Sequence, residues 1–165
     1  MTSFDDLLAA NAGYARAHSD AGLEGRAARG IAVVTCMDSR IEPLKMLGLG
    51  IGDAKIMRNA GGRVTDDVLR TLVLATHLLG VERVLVVEHT ECKMASATDE
   101  QVHALIAQSS GIDTRSLDFE TMQDQSEALT HDVQRVRSSP FLPPGVVVAG
   151  FLYDVRSGEL SLRVP

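Results

Sequence analysis

The chain has 165 residues, 45% of them apolar and 23% charged, with a formal net charge of −6 at pH 7. That length buries a sizeable core and the charged fraction is close to the globular average, so residues 1–165 read as one domain and a disordered chain is excluded. No basic block of five or more residues occurs, Trp is absent and Tyr occurs twice, which argues against a nucleic-acid partner, an anionic membrane surface or a base-stacking platform.

Met1 to about Ser19 reads as a helix, with Ser3 as its cap and Asp5 and Asp6 in the first turn against the positive end of the dipole. Phe4, Leu7, Leu8 and Ala12 form an apolar stripe at helical spacing, suited to packing on this domain or on a second subunit. Asp5 and Asp6 stand where a secretory leader is positive, and no stretch approaches the ~20 apolar residues of a membrane span. A soluble cytoplasmic protein is expected, a setting in which two cysteines are more often free, metal-bound or redox-active than bridged.

Ile31 to Thr35 is a continuous β-branched run, the pattern of a parallel strand covered on both faces. Pro43 opens a short helix, Leu44 to Leu47, and Gly48-Leu49-Gly50-Ile51-Gly52 ends it as a plain turn. Ala54 to Met57 is a second strand, and Arg58-Asn59-Ala60-Gly61-Gly62 a tight turn at its end. Thr65 caps a helix whose apolar face runs from Val68 to Leu79, stopped by Gly80. Arg83 to Glu88 is a third strand, and His89 to Ala97 a loop. Thr98 and Gln101 form a capping box for a helix to about Ser109, closed by Gly111. Ser116 to Arg137 is helical in its later part, with Leu129, Val133 and Val136 on one face. Val146 to Asp154 is the fourth strand, and Arg156-Ser157-Gly158-Glu159 turns into a last one, Leu160 to Val164. The methionines read as core. Strands alternating with helices predict an α/β fold: a mostly parallel sheet of about four strands, helices on both faces and a C-terminal antiparallel strand.

The chemistry gathers at two strand ends. Val33-Val34-Thr35-Cys36-Met37-Asp38-Ser39-Arg40 ends an apolar strand in a thiol, a carboxylate and a guanidinium. The chain is expected to leave the sheet near Cys36, crowding all three at the strand's carboxyl end, where open α/β sheets place ligands. His89-Thr90-Glu91-Cys92 follows the third strand and carries the only other cysteine. Cys36, His89 and Cys92 together offer two sulfurs and one nitrogen, the catalytic three-ligand pattern of zinc, whereas magnesium and calcium want oxygen. An arginine two residues from Asp38 holds that carboxylate ionised and oriented, ready to accept a hydrogen bond from zinc-bound hydroxide or to ligate the zinc. The chemistry so assembled is hydration or hydrolysis of a small electrophilic carbon. The competing reading of the two cysteines is a disulfide or redox pair. His18, His77, His103 and His131 lack a partner motif and read as surface or satisfied helix residues.

These residues resemble the β-class carbonic anhydrases of short bacterial type. Cys36-Met37-Asp38-Ser39-Arg40 matches the family's C-x-D-x-R, His89-Thr90-Glu91-Cys92 its H-x-x-C, and Arg58-Asn59-Ala60-Gly61-Gly62 the turn between them. The resemblance implies a zinc lyase interconverting carbon dioxide and bicarbonate. Cys36, His89 and Cys92 would be ligands, with Asp38 and Arg40 as the catalytic dyad. It also implies a homodimer or tetramer with the cleft near the subunit interface. One position departs from the pattern, Lys93 where the family usually has glycine. If that glycine serves a positive φ, lysine costs ~1–2 kcal/mol; if it makes room beside the metal, a long cation there alters substrate access. The alternatives are hydrolysis of carbonyl sulfide or carbon disulfide on the same scaffold, and a non-catalytic zinc or redox-sensing protein.

Overall fold

A computed structural model describes residues 3–19 and 22–165. The continuous apolar runs pair as a five-stranded sheet: β1 (Ile31–Cys36), β2 (Ala54–Asn59), β3 (Arg83–His89), β4 (Val147–Tyr153) and β5 (Leu160–Val164). The strand order is β2-β1-β3-β4-β5, with β1 parallel to β2 and β3, β3 parallel to β4, and β5 antiparallel to β4. Every residue of β1 is buried, as its unbroken apolar run requires. The α/β architecture with an antiparallel last strand is as the sequence predicts.

The described residues also form five α-helices: α1 (Asp5–Ala17), α2 (Pro43–Met46), α3 (Asp66–Leu78), α4 (Asp99–Ser110) and α5 (Gln125–Arg137). Val68, Leu72 and Ala75 of α3 and Leu129, Val133 and Val136 of α5 meet Ala32, Val34, Val84, Val86 and Val148 in the main core. On the other face Ile31, Val33 and Val87 are covered by Met46, Leu47 and Leu49, while Val147 and Leu162 stay exposed. The Thr65 cap, the Thr98–Gln101 capping box and the left-handed Gly111 that closes α4 all form as read.

Several boundaries differ. α1 starts after Phe4 with no side-chain cap, so Ser3 does not cap it; Met1 and Thr2 lie outside the described residues. α1 buries no residue, so its stripe does not pack on this sheet. β2 runs on through Arg58 and Asn59, because the ladder to β1 continues to Thr35↔Arg58 and Cys36↔Asn59. β3 takes in His89 through its pairing with Tyr153. Met57 and Met122 are core, but Met37 is 66% exposed, since the chain leaves the sheet immediately before it.

Candidate metal centre

The order β2-β1-β3 means the chain leaves β1 to one side and returns on the other, so the ends of β1 and β3 form the topological switch point. Cys36 is the last residue of β1 and His89 the last of β3. After Cys36 the chain turns, closed by Ile41 N–H donating to the Asp38 carbonyl at 3.1 Å. Arg58 on β2 fixes that turn from beneath. Its guanidinium donates to the carbonyls of Cys36 (3.0 Å), Ile41 (3.1 Å) and Asp38 (2.6 Å). Gly62 packs against the same backbone: at φ +71°, a Cβ there would lie 2.9 Å from Cys36 N and Thr35 C. The glycine turn is braced in its own right. Asn59 bonds both the N–H (2.9 Å) and the carbonyl (2.8 Å) of Arg63, whose guanidinium pairs with the buried Asp132 at 2.7 and 3.1 Å.

His89 is 1% exposed. Its Nδ1 lies 2.8 Å from the Thr90 carbonyl. A carbonyl only accepts, so Nδ1 carries the proton and Nε2 presents its lone pair. Nε2 is buried without a hydrogen-bond partner. Cys92 arrives two residues after Thr90, past Glu91 in the left-handed region at φ +59°. Cys36, His89 and Cys92 each offer a ligand atom, all within 4.8 Å of one another and all three residues buried. Both cysteines are free thiols. A hydrogen bond from Cys92 pushes the Cys36 sulfur toward thiolate against the opposing effect of burial. Two sulfurs, one drawn toward thiolate, and an orphaned imidazole lone pair are a donor set that fits a zinc ion.

Asp38 stands at the edge of this cluster, Oδ2 3.9 Å from His89 Nε2. Arg40 holds both its oxygens, Nε to Oδ1 at 3.0 Å and Nη2 to Oδ2 at 2.8 Å, and the Arg40 N–H adds a third bond to Oδ1 at 2.9 Å. These bonds hold the Asp38 carboxyl far below the usual carboxylate range. The other side of the Arg40 guanidinium meets Glu91, Nη1 to Oε2 at 3.0 Å.

Comparison with known proteins agrees with this geometry. The family model described as "Carbonic anhydrase" matches residues 31–160. The chain is 35% identical to "Beta-carbonic anhydrase 1" of Mycobacterium tuberculosis, with both chains covered in full. The chain belongs to the carbonic anhydrase family of enzymes, in its β class. The carbonic anhydrase of Streptococcus mutans, a crystal structure, superposes with a TM-score of 0.91 at 36% identity, covering 99% of this chain and 98% of the other. A carbon disulfide hydrolase of Acidithiobacillus thiooxidans is 33% identical over 78% of this chain and 74% of its own.

For a β-class member the five residues singled out in the sequence, Cys36, Asp38, Arg40, His89 and Cys92, are brought to one place. Lys93 is not strained: among the described residues only Glu91 and Glu120 are non-glycines with positive φ. Lys93 is exposed and opens a short 3-10 turn, its carbonyl accepting from Ser96. Gly62 reads from sequence as either shaping the cleft or turning the chain, whereas the support from Arg58 and Glu91, and the buried acid Glu88 outside the centre, are not read there. Arg58 and Gly62 stood inside a recognised turn, but nothing local shows that they reach back to β1. Glu91 is a spacer in the H-x-x-C pattern. Glu88 faces away from the centre, fully buried with both oxygens unpartnered, and burial together with the charge of Asp132 pushes its carboxyl up to about 8. An acid in the middle of the run Val86-Val87-Glu88-His89 was the available signal.

Proposed function

We propose that this enzyme interconverts carbon dioxide and bicarbonate, with a zinc ion held by Cys36, His89 and Cys92. The observation that carries the reading is the three-donor cluster, buried and within 4.8 Å, beside a carboxylate locked by arginine. When bound, zinc supplies a nucleophile from water near neutral pH. The thiolate and imidazole donors select it over magnesium or calcium. Nδ1–H of His89, tied to the Thr90 carbonyl, fixes the ring so that Nε2 is the ligating atom. Asp38 is ionised and can only accept. Placed beside the donors, it would accept the proton of a hydrogen bond from the attacking oxygen and so orient it. Arg40 keeps Asp38 in that role by binding both its oxygens.

Hydrolysis of carbon disulfide or carbonyl sulfide is the second reading, favoured by the likeness to carbon disulfide hydrolases. We also propose self-association as a homodimer or tetramer. The support is apolar surface that the chain does not cover: Phe4, Leu7 and Leu8 of α1 are 63%, 60% and 65% exposed. Among the described residues no helix is long and apolar enough to cross a membrane, and we take the compartment to be the cytoplasm. Metal analysis, with stopped-flow rates on carbon dioxide and on carbon disulfide, tests the reading. About one zinc per chain and faster turnover of carbon dioxide support it, whereas turnover of carbon disulfide alone favours the second. A zinc-replete protein inactive on both leaves a non-catalytic zinc protein.

A further inference from the structure

Glu91 occupies an awkward position for its residue type. Its φ of +59° is one that glycine adopts freely and a side-chain-bearing residue does not. The turn from His89 to Cys92 would therefore be more relaxed with glycine at position 91. A strained backbone that persists beside a candidate reaction centre points to something its side chain does.

That side chain is engaged at both oxygens. Oε2 accepts from Arg40 Nη1 at 3.0 Å, and Oε1 accepts from Arg156 Nε at 2.5 Å. Arg40 spends Nε and Nη2 on Asp38, so Glu91 takes the one remaining edge of the guanidinium. Arg156 is itself delivered by a built turn. Asp154 Oδ1 accepts from the N–H groups of Arg156 and Ser157, both at 2.8 Å. The hairpin is pinned to the loop by Thr90, whose N–H donates to the Tyr153 carbonyl (2.9 Å) and whose Oγ1 accepts from Val155 N–H (3.1 Å). The result is an alternating chain of charges, Asp38–Arg40–Glu91–Arg156, running from the metal donors to the β4–β5 turn.

Exposed ion pairs contribute little to stability singly. Arg40 is 44% exposed and Glu91 40% exposed, so the pairs are not there for strength. What a shared guanidinium provides is direction: fixed on two edges, it cannot rotate away from Asp38. We propose that Glu91, braced by Arg156, is a positioning residue that holds Arg40 and so keeps Asp38 turned toward arginine, leaving the fourth metal position open. The inference rests on the zinc reading above and extends it to a variable position within the second motif, Glu91, and to Arg156 outside both.

The test uses the full chain loaded with cobalt in place of zinc, whose visible spectrum reports occupation of the fourth position by added azide. The variants are Glu91→Gln, Glu91→Gly, Arg156→Ala and the Glu91→Gln/Arg156→Ala pair. Both Glu91 variants are expected to bind a full complement of metal, to bind azide about tenfold more weakly, and to lose about tenfold in kcat with KM little changed. Arg156→Ala loses about threefold, as an exposed pair should. The pair loses no more than Glu91→Gln, because Arg156 acts through Glu91. Glu91→Gly, which relieves the backbone, raises the thermal midpoint while still losing azide affinity. Glu91→Gly binding azide as tightly as the parent would show that only the turn matters and overturn the proposal. So would losses that multiply in the pair. If Glu91→Gly does not fold, Glu91→Gln, which leaves the backbone as it is, decides alone. A parent that binds cobalt and azide but does not hydrate carbon dioxide refutes the proposed reaction and leaves the azide comparison standing.

Discussion

At the scale of single residues each polar atom of the centre has an assigned partner or is left as a donor. The Nδ1 proton of His89 goes to Thr90, both oxygens of Asp38 go to Arg40, and all three donor nitrogens of Arg58 go to carbonyls of the Cys36 loop. Asp38→Asn replaces an acceptor that cannot donate with an amide that can, and it also weakens the hold of Arg40. We expect full metal content and about a hundredfold loss of turnover, read by metal analysis and kcat on the same sample. Gly62→Ala tests the close approach. Its Cβ would sit 2.9 Å from backbone atoms of Thr35 and Cys36 at a φ of +71°. It should cost about 1–3 kcal/mol in urea unfolding and reduce metal content by displacing Cys36. The two motifs were legible in the sequence because their residue types are rare and their spacing short. Arg58 and Gly62 were not legible in these roles, because their partners lie 17 or more residues away in sequence and no local pattern records that distance.

Secondary-structure elements were readable where the signal was their own and blurred where a neighbour decides. Thr98, Gln101 and Gly111 marked α4 at both ends because a capping box and a left-handed stop are local chemistry. The ends of β2 and β3 ran past the reading because strand length is set by the paired strand, as at Cys36↔Asn59 and His89↔Tyr153. The segment before α5 is held by a side chain no pattern foretold. Asp99, in the first turn of α4, accepts from the N–H groups of Phe119 (2.7 Å) and Thr121 (2.9 Å) and from the Thr121 hydroxyl. The hydroxyl and then the backbone donors pull the Asp99 carboxyl down to about 2. A folded pKa below the ordinary 3.8 contributes stability that is present above that value and is lost as pH falls toward 2. Asp99→Ala should therefore cost about 1–3 kcal/mol at pH 7, and the difference from the parent should shrink as unfolding is measured toward pH 2.

For the whole molecule, topology and uncovered surface carry the remaining claims. The switch between β1 and β3 puts both motifs at one end of the sheet, so the fold places the donors before any side chain is chosen. The stripe on α1 was legible as apolar, but whether it covers its own sheet or another subunit depends on where the helix lies, which spacing does not encode. In the structure Phe4, Leu7 and Leu8 are exposed. Leu8→Glu, which puts a charge on a residue 65% exposed, should leave the thermal fold intact and shift sedimentation toward the monomer. An unchanged sedimentation coefficient would place the interface elsewhere. Stopped-flow hydration of carbon dioxide, with metal-free protein titrated with zinc, reads the proposed reaction and its metal together. The rate should rise to a plateau at about one zinc per chain, and Cys36→Ser should abolish it. Zinc-saturated protein that gives no acceleration from pH 7 to pH 9 would contradict it.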